Sequence, residues 1–251
     1  MKLDGKVAFV SGAAGHLGRE MTRALCEAGA HVILNGRDAA KLRDFEGELR
    51  AGGLSAECAA FDVTDFARLR AFFASRARLD VLVNNAVAMT PKPFAALQPD
   101  DFAATYASAV TAAFEAVRAA RPALKPGASV VNIASMYATV APDGRLYASR
   151  DGQSPFHYGP AKAALIQLTR HLAAELGPLG IRVNALVPGP FPKPEVIEAN
   201  PEFAARLSQR TMLGRTADAS EIRGPLLFLA SDASSYVTGA ALAVDGGWTA
   251  W

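Results

Sequence analysis

The sequence predicts an α/β protein built on a doubly wound parallel sheet, folded as a single domain. Short apolar runs alternate with longer helical patterns from one end of the chain to the other. The runs are continuously apolar rather than alternating, which marks parallel strands covered by helices on both faces. Strand–helix alternation of that kind winds the chain around one open sheet. No repeat and no linker-like stretch divides the 251 residues, a length that one large domain with a substantial core accommodates.

Residues 6–10 read as the first strand. A helical pattern spans about 16–28, and Gly29 is its stop signal. Residues 31–34 form the second strand. Helices near 39–51 and 66–76 then alternate with strands near 56–61 and 79–83. A long alanine-rich helix is expected near 99–124, with a fifth strand at 129–133. The next helix begins at Tyr158, because Pro160 fits a helix only in its first turn, where the missing N–H costs nothing. It runs to Leu176 and stops at Gly177-Pro178. Residues 181–187 read as the sixth strand and 188–194 as a proline-rich loop. Helical pattern resumes near 201–211 and 220–231, and 241–244 is the last strand.

Composition removes several function classes. The chain is 51% apolar and 20% charged, an ordinary globular balance. A net charge of +2 gives no electrostatic footprint for nucleic acid. Lys2, Asp4 and Lys6 interrupt the opening residues, which argues against a signal peptide. No apolar run approaches the roughly 20 residues that span a membrane. Cys26 and Cys58 are too few for a disulfide framework and read as reduced thiols of a cytoplasmic protein. His31, His157 and His171 have no metal-ligand spacing, so no metal site is expected, and His157 reads as a neighbour of the site below.

Two stretches carry chemistry. The first, Ser11-Gly12-Ala13-Ala14-Gly15-His16-Leu17-Gly18, joins the first strand to the first helix. Glycines there let the backbone approach a pyrophosphate, and the helix behind them offers free N–H groups and a positive dipole end. The second is Tyr158-Gly159-Pro160-Ala161-Lys162, which puts a tyrosine and a lysine on one helix face. A free phenol has a pKa of about 10, too high for proton exchange at neutral pH, and an ammonium nearby favours the phenolate. Tyr158 therefore reads as a general acid/base tuned by Lys162. Ser135, at the end of an apolar strand, would steady the charge that develops on a substrate oxygen.

These stretches, with Asp62-Val63, Asn84-Asn85-Ala86, Pro188-Gly189 and Val244-Asp245-Gly246-Gly247 in this order and spacing, resemble the short-chain dehydrogenase/reductase family over essentially the whole chain. The resemblance implies a Rossmann-type fold, NAD(P)-dependent oxidation of alcohols or reduction of carbonyls, a small-molecule substrate and a homotetramer. It implies a catalytic set of Ser135, Tyr158 and Lys162, with Lys162 also holding the nicotinamide ribose. For the cofactor it implies contacts from Gly12, Gly15, Leu17 and Gly18, from Asp62 and Val63 at the adenine, and from Asn85, Pro188, Gly189 and Phe191. Arg37 follows Gly36, where relatives that take NAD carry an acidic residue. A cation there suits the 2′-phosphate of NADP, so NADP is the expected cofactor, with NAD as the other possibility.

The chain departs from the family pattern at four places. Ala109 stands where relatives carry an asparagine that relays protons, so the relay is either rebuilt through Ser108 or water, or absent. Val87 and His16 each replace a frequent glycine. The stretch from Ser135 to Tyr158 is longer than usual and reads as a loop over the site mouth, with Arg145 and Arg150 as anchors for an anionic or polyhydroxylated substrate. Residues 190–212 are expected to form a substrate lid within the single 1–251 domain. Trp248 and Trp251, apolar for a chain end, are expected to pack at a subunit interface. The reading is a dehydrogenase/reductase for a polar secondary alcohol or ketone, possibly derived from a sugar. Its rival, kept open by Ala109 and Val87, is a nucleotide-binding sensor or scaffold with little turnover.

Overall fold

The computed structural model describes residues 1–251, the side chain of Arg150 excepted. Seven strands form one parallel sheet in the order β3-β2-β1-β4-β5-β6-β7. They are β1 (Val7–Ser11), β2 (His31–Gly36), β3 (Ala56–Ala60), β4 (Leu79–Asn84), β5 (Leu124–Ile133), β6 (Arg182–Pro188) and β7 (Ala241–Val244). Successive residues of a strand face opposite sides of the sheet, and here both sides are core. Ala8, Val10, Val32, Leu34, Val81 and Val83 pack on one side with Met21 and Leu25 of α1 (His16–Glu27), Phe45 of α2 (Ala39–Ala51) and Leu226 of α9 (Arg223–Ala230). Phe9, Ile33, Leu82 and Val130 pack on the other with Leu69 of α3 (Phe66–Ala74), Val117 of α5 (Ala112–Ala120) and Leu172 of α6 (Tyr158–Leu176). Burying each such side chain contributes about 1.5–3 kcal/mol, so strands apolar on both faces are stable only between two helical layers. This is the architecture the continuous apolar runs predict.

Several boundaries differ from the sequence expectation. The long helix expected at 99–124 is two helices, α4 (Pro99–Tyr106) and α5, joined through a π turn at Ala107–Thr111. It ends at Ala120, and β5 begins at Leu124, which pairs with Leu79. The expected proline-rich loop gives way at its last residue to a short helix, α7 (Pro194–Ala199), because Pro194 sits in the helix's first turn, where proline is tolerated. The adjoining α8 (Pro201–Gln209) is capped by Asn200, whose side chain accepts from Phe203 N at 3.0 Å. Parallel pairing throughout places every strand's C-terminal end on one edge, where a crevice opens between β1 and β4, the point at which the strand order reverses.

Candidate active site

The crevice is a cavity of about 700 Å³. Gly12, Gly15, Leu17, Gly18, Arg37, Asp62, Val63, Asn85, Ser135, Tyr158, Lys162, Pro188, Gly189 and Phe191 all line it. The turn after β1 closes tightly: Gly15 N donates to Gly12 O at 3.0 Å, and a β-carbon at Gly18 would run into that same Gly12 oxygen. The α1 cap, Gly15, carries no side-chain hydrogen bond, so the helix's first N–H groups face the cavity edge without an internal acceptor. Ser11 ties the turn to β4, accepting at Oγ from Asn85 N (2.9 Å) and Ala86 N (3.0 Å).

At the other end of the cavity, β5 and α6 bring three side chains together. Lys162, buried on α6, donates from Nζ to Ile133 O at 2.6 Å, where β5 ends. Its Nζ lies 5.7 Å from the centre of the Tyr158 ring. Ser135 follows two residues beyond Ile133 and lines the cavity together with Tyr158. Burial pushes the Tyr158 phenol up from its usual value, and the Ser135 hydroxyl pulls the other way. Burial holds the Lys162 ammonium down to about 8. A buried polar ladder fixes α6 against the strands that carry Asn85 and Ser135. Asn84 Nδ2 donates to Asn132 Oδ1 (2.8 Å), Asn132 Nδ2 to Thr169 Oγ1 (2.9 Å), and Thr169 Oγ1 to Leu165 O (2.8 Å). Sequence reasoning passed over Asn132 and Thr169. The available signal was a polar residue inside an apolar strand, which must find partners when buried.

The residues present fit a dinucleotide. Two buried polar atoms of this lining, Asn35 Oδ1 and His16 Nε2, have no partner among the described residues. Asn35, also missed from sequence, donates from Nδ2 to Ala59 O (2.9 Å) and Phe61 O (3.1 Å), shaping the wall beside Arg37. Arg37 is exposed at the rim, 3.9 Å from Asp62, an arrangement that leaves the guanidinium free to meet an anion. Among the described residues no cluster has metal-ligand composition.

Other expectations shift. Ala109 does not line the main cavity; it faces a small void beside Ser11 and Asn84. Ser108, its neighbour in the π turn, does line the main cavity, and its Oγ accepts from Ala88 N at 2.9 Å. Val87 lines the cavity. His157 is fully buried outside it, between Thr105 Oγ1 (3.0 Å) and Thr90 O (3.3 Å). Arg145 is not a cavity anchor: its guanidinium is paired with Asp143 at 2.7 Å and lies outside the lining. The Arg150 side chain lies outside the described residues. Trp248 corrects a further expectation, since it is buried within its own chain against Met136, Leu146 and Leu207. Trp251 is exposed. Cys26 and Cys58 are free, and burial pushes both thiols up to about 12, so neither is a nucleophile at neutral pH.

Comparison with known proteins places this geometry. The family model described as enoyl-(acyl carrier protein) reductase matches residues 12–249. Gluconate 5-dehydrogenase of Gluconobacter oxydans (strain 621H) is 35% identical, over 98% of this chain and 96% of its own length. Galactitol 2-dehydrogenase (L-tagatose-forming) of Cereibacter sphaeroides is 39% identical, over 100% and 97%. The crystal structure of a gluconate 5-dehydrogenase from Burkholderia cenocepacia J2315, in complex with NADP and tartrate, superposes with a TM-score of 0.87 at 32% identity, covering 100% of this chain and 97% of that one.

Proposed function

Because the chain belongs to the short-chain dehydrogenase/reductase family and is an NAD(P)-dependent oxidoreductase, we propose that it interconverts a polyol or sugar-derived secondary alcohol and its ketone with NADP as the preferred cofactor. The observation that carries this is the convergence of Ser135, Tyr158 and Lys162 at one end of a cavity whose other end is a glycine turn and an exposed arginine. Relatives named for gluconate and galactitol support the substrate class. A neighbour in complex with NADP supports the cofactor, and NAD remains the second one. The sensor or scaffold reading has no such support, because whole-length relatives are named as dehydrogenases.

The turn of Gly12, Gly15, Leu17 and Gly18 would hold the pyrophosphate, Asp62 and Val63 the adenine, and Arg37 the 2′-phosphate. Asn85, Lys162, Pro188, Gly189 and Phe191 would hold the nicotinamide riboside. The bound nicotinamide supplies or accepts the hydride. Tyr158 Oη takes the proton from the substrate hydroxyl in oxidation and returns it in reduction. Ser135 Oγ donates to the substrate oxygen and holds it against Tyr158. The Lys162 ammonium offsets the burial that disfavours the Tyr158 phenolate. Ser108 and water take the place of the usual asparagine in passing protons outward.

Residues 190–212, which contain α7 and α8, act as the substrate lid of the single domain. The protein works as a cytoplasmic homotetramer; exposed Phe102 and Phe114 on α4 and α5 favour association, and no helix is long and apolar enough to cross a membrane. The test is a turnover screen of galactitol, gluconate and their ketone products with both cofactors, read by reduced-nicotinamide absorbance. Turnover with kcat/KM at least about tenfold higher for NADP+ than for NAD+ is expected, the scale of one charge-assisted contact. No turnover of any polyol, aldonate or ketone overturns the reading, and equal kcat/KM values overturn the cofactor preference.

A further inference from the structure

A second cluster adjoins Ser135 outside the cofactor cavity. Met136, Leu146, Leu207 and Trp248 are buried together, with Tyr137, Tyr147 and Phe203 packed on them. These residues come from the turn after Ser135, the long 139–157 loop, α8 and the C-terminal segment. The loop is pinned to α8 twice: Arg206 Nε donates to Leu146 O at 2.8 Å, and the Tyr147 ring packs on Phe203 with centroids 5.4 Å apart. Inside this junction Tyr137 Oη and Tyr147 Oη lie 2.8 Å from each other.

The pair stands next to the proposed acid/base. Tyr137 is two residues from Ser135, and its amide donates to Ser135 Oγ at 3.2 Å. Its backbone packs on Gly159, the residue after Tyr158; a β-carbon there would come within 2.8 Å of Tyr137 O. Two phenols carry two hydroxyl protons. One lies in the bond between the two oxygens, and the other has no partner among the described residues. Burial pushes the Tyr137 phenol above its usual value, with the Tyr147 hydroxyl adding to the effect, so Tyr137 keeps its proton at any pH where the enzyme operates.

We propose that the Tyr137–Tyr147 hydroxyl pair is a substrate-positioning element, whose free O–H donates to a second oxygen of the substrate and so selects polyhydroxylated substrates over alcohols that have only the reacting oxygen. This rests on the polyol reading above. A site built to hydrogen-bond a substrate hydroxyl discriminates strongly against an analogue without one, because its own polar group is then left unpaired. The longer loop acquires a purpose here: it delivers Tyr147 to Tyr137, and the contacts to α8 hold it there.

The experiment compares galactitol and gluconate, which have further oxygens, with cyclohexanol, which has none, using NADP+ and the full-length enzyme. Tyr147→Phe keeps the ring on Phe203 and removes only the hydroxyl. It is expected to raise KM for the polyol or aldonate about tenfold, the scale of one lost hydrogen bond, with kcat within about twofold and cyclohexanol kinetics unchanged. Tyr137→Phe, with NADPH binding as a check of folding, is expected to do the same. The double variant is expected to lose little more than either single one, since the pair acts as a unit. An equal loss on cyclohexanol, or a polyol KM unmoved in both single variants, overturns the proposal while leaving the dehydrogenase reading intact. A wild type that oxidises neither galactitol nor gluconate overturns both.

Discussion

The two walls of the site are made of different material. The cofactor wall is backbone at strand ends: the turn after β1, the end of β2 beside Arg37, and the segment after β6 all follow directly from core strands. The proposed substrate wall is side chains gathered from four separated segments, with Trp248 buried where the 139–157 loop, α8 and the chain end meet. The first wall moves only if the sheet moves. The second is held by a small cluster, one hydrogen bond and one ring-to-ring contact, so it can be altered without disturbing the sheet. On the proposed reading, the sheet keeps one cofactor in place while substrate preference is set by pieces that the sheet does not determine.

The contrast can be broken or sharpened by substitution. The largest effect is expected at Lys162, whose Nζ is bonded to Ile133 O at the end of β5. Lys162→Met should lower kcat by about 10³ in either direction, within the range for losing acid/base assistance. It should also stabilise the protein without cofactor. Burial sets the folded value at about 8, below the roughly 10.4 of an unfolded lysine. Between those values the unfolded chain still binds the proton that the folded chain has released, so stability from this group rises with pH from about 8 to about 10.4 and is absent below 8. At pH 7 the penalty is present in full. Removing it returns about 3 kcal/mol, less about 1 for the lost bond to Ile133 O, and raises Tm by about 4–8 °C. Calorimetry should show that gain shrinking at pH 10; an unchanged or lower Tm at pH 7 contradicts the assignment.

Next in size is the second wall. Trp248→Ala removes the centre of the cluster and should cost about 3–5 kcal/mol by chemical denaturation. In the protein that remains folded, KM for the alcohol should rise while the NADPH dissociation constant stays within about twofold. Equal damage to both would show that the walls are not separable. Smaller again is Arg37→Ala. It should weaken NADPH about tenfold in a fluorescence titration and leave NADH unchanged, because the guanidinium meets only the 2′-phosphate. Loss of both affinities alike would return Arg37 to a surface role.

How far the sequence disclosed each region follows the same division. The helix at Ala39–Ala51 was legible to both ends because Asp38 caps it, accepting from Ala40 N and Lys41 N, and Gly52-Gly53 ends it. The α6 start was legible because Pro160 tolerates one place only. The turn at 11–18 was legible because close backbone approach permits nothing larger at Gly18. The π turn at Ala107–Thr111 was not, since nothing in an Ala-Ser-Ala-Val-Thr run marks it; Ser108 Oγ bonded to Ala88 N is a tertiary contact. The placement of Trp248 and the Tyr137–Tyr147 pair was equally hidden, because both depend on segments far apart in sequence meeting at one point. Apolar character at the chain end pointed to a subunit interface, whereas Trp248 is buried within its own chain.

The central claim is that Tyr158, beside Ser135 and Lys162, moves the proton that accompanies hydride transfer. The most direct measurement is a single-turnover reduction by enzyme-bound NADPH in Tyr158→Phe, followed by reduced-nicotinamide absorbance against a ketone that the wild type reduces. The expected result is NADPH affinity within about threefold of wild type and a hydride-transfer rate lower by about 10³ or more. A rate within tenfold of wild type, with the cofactor bound, would contradict it.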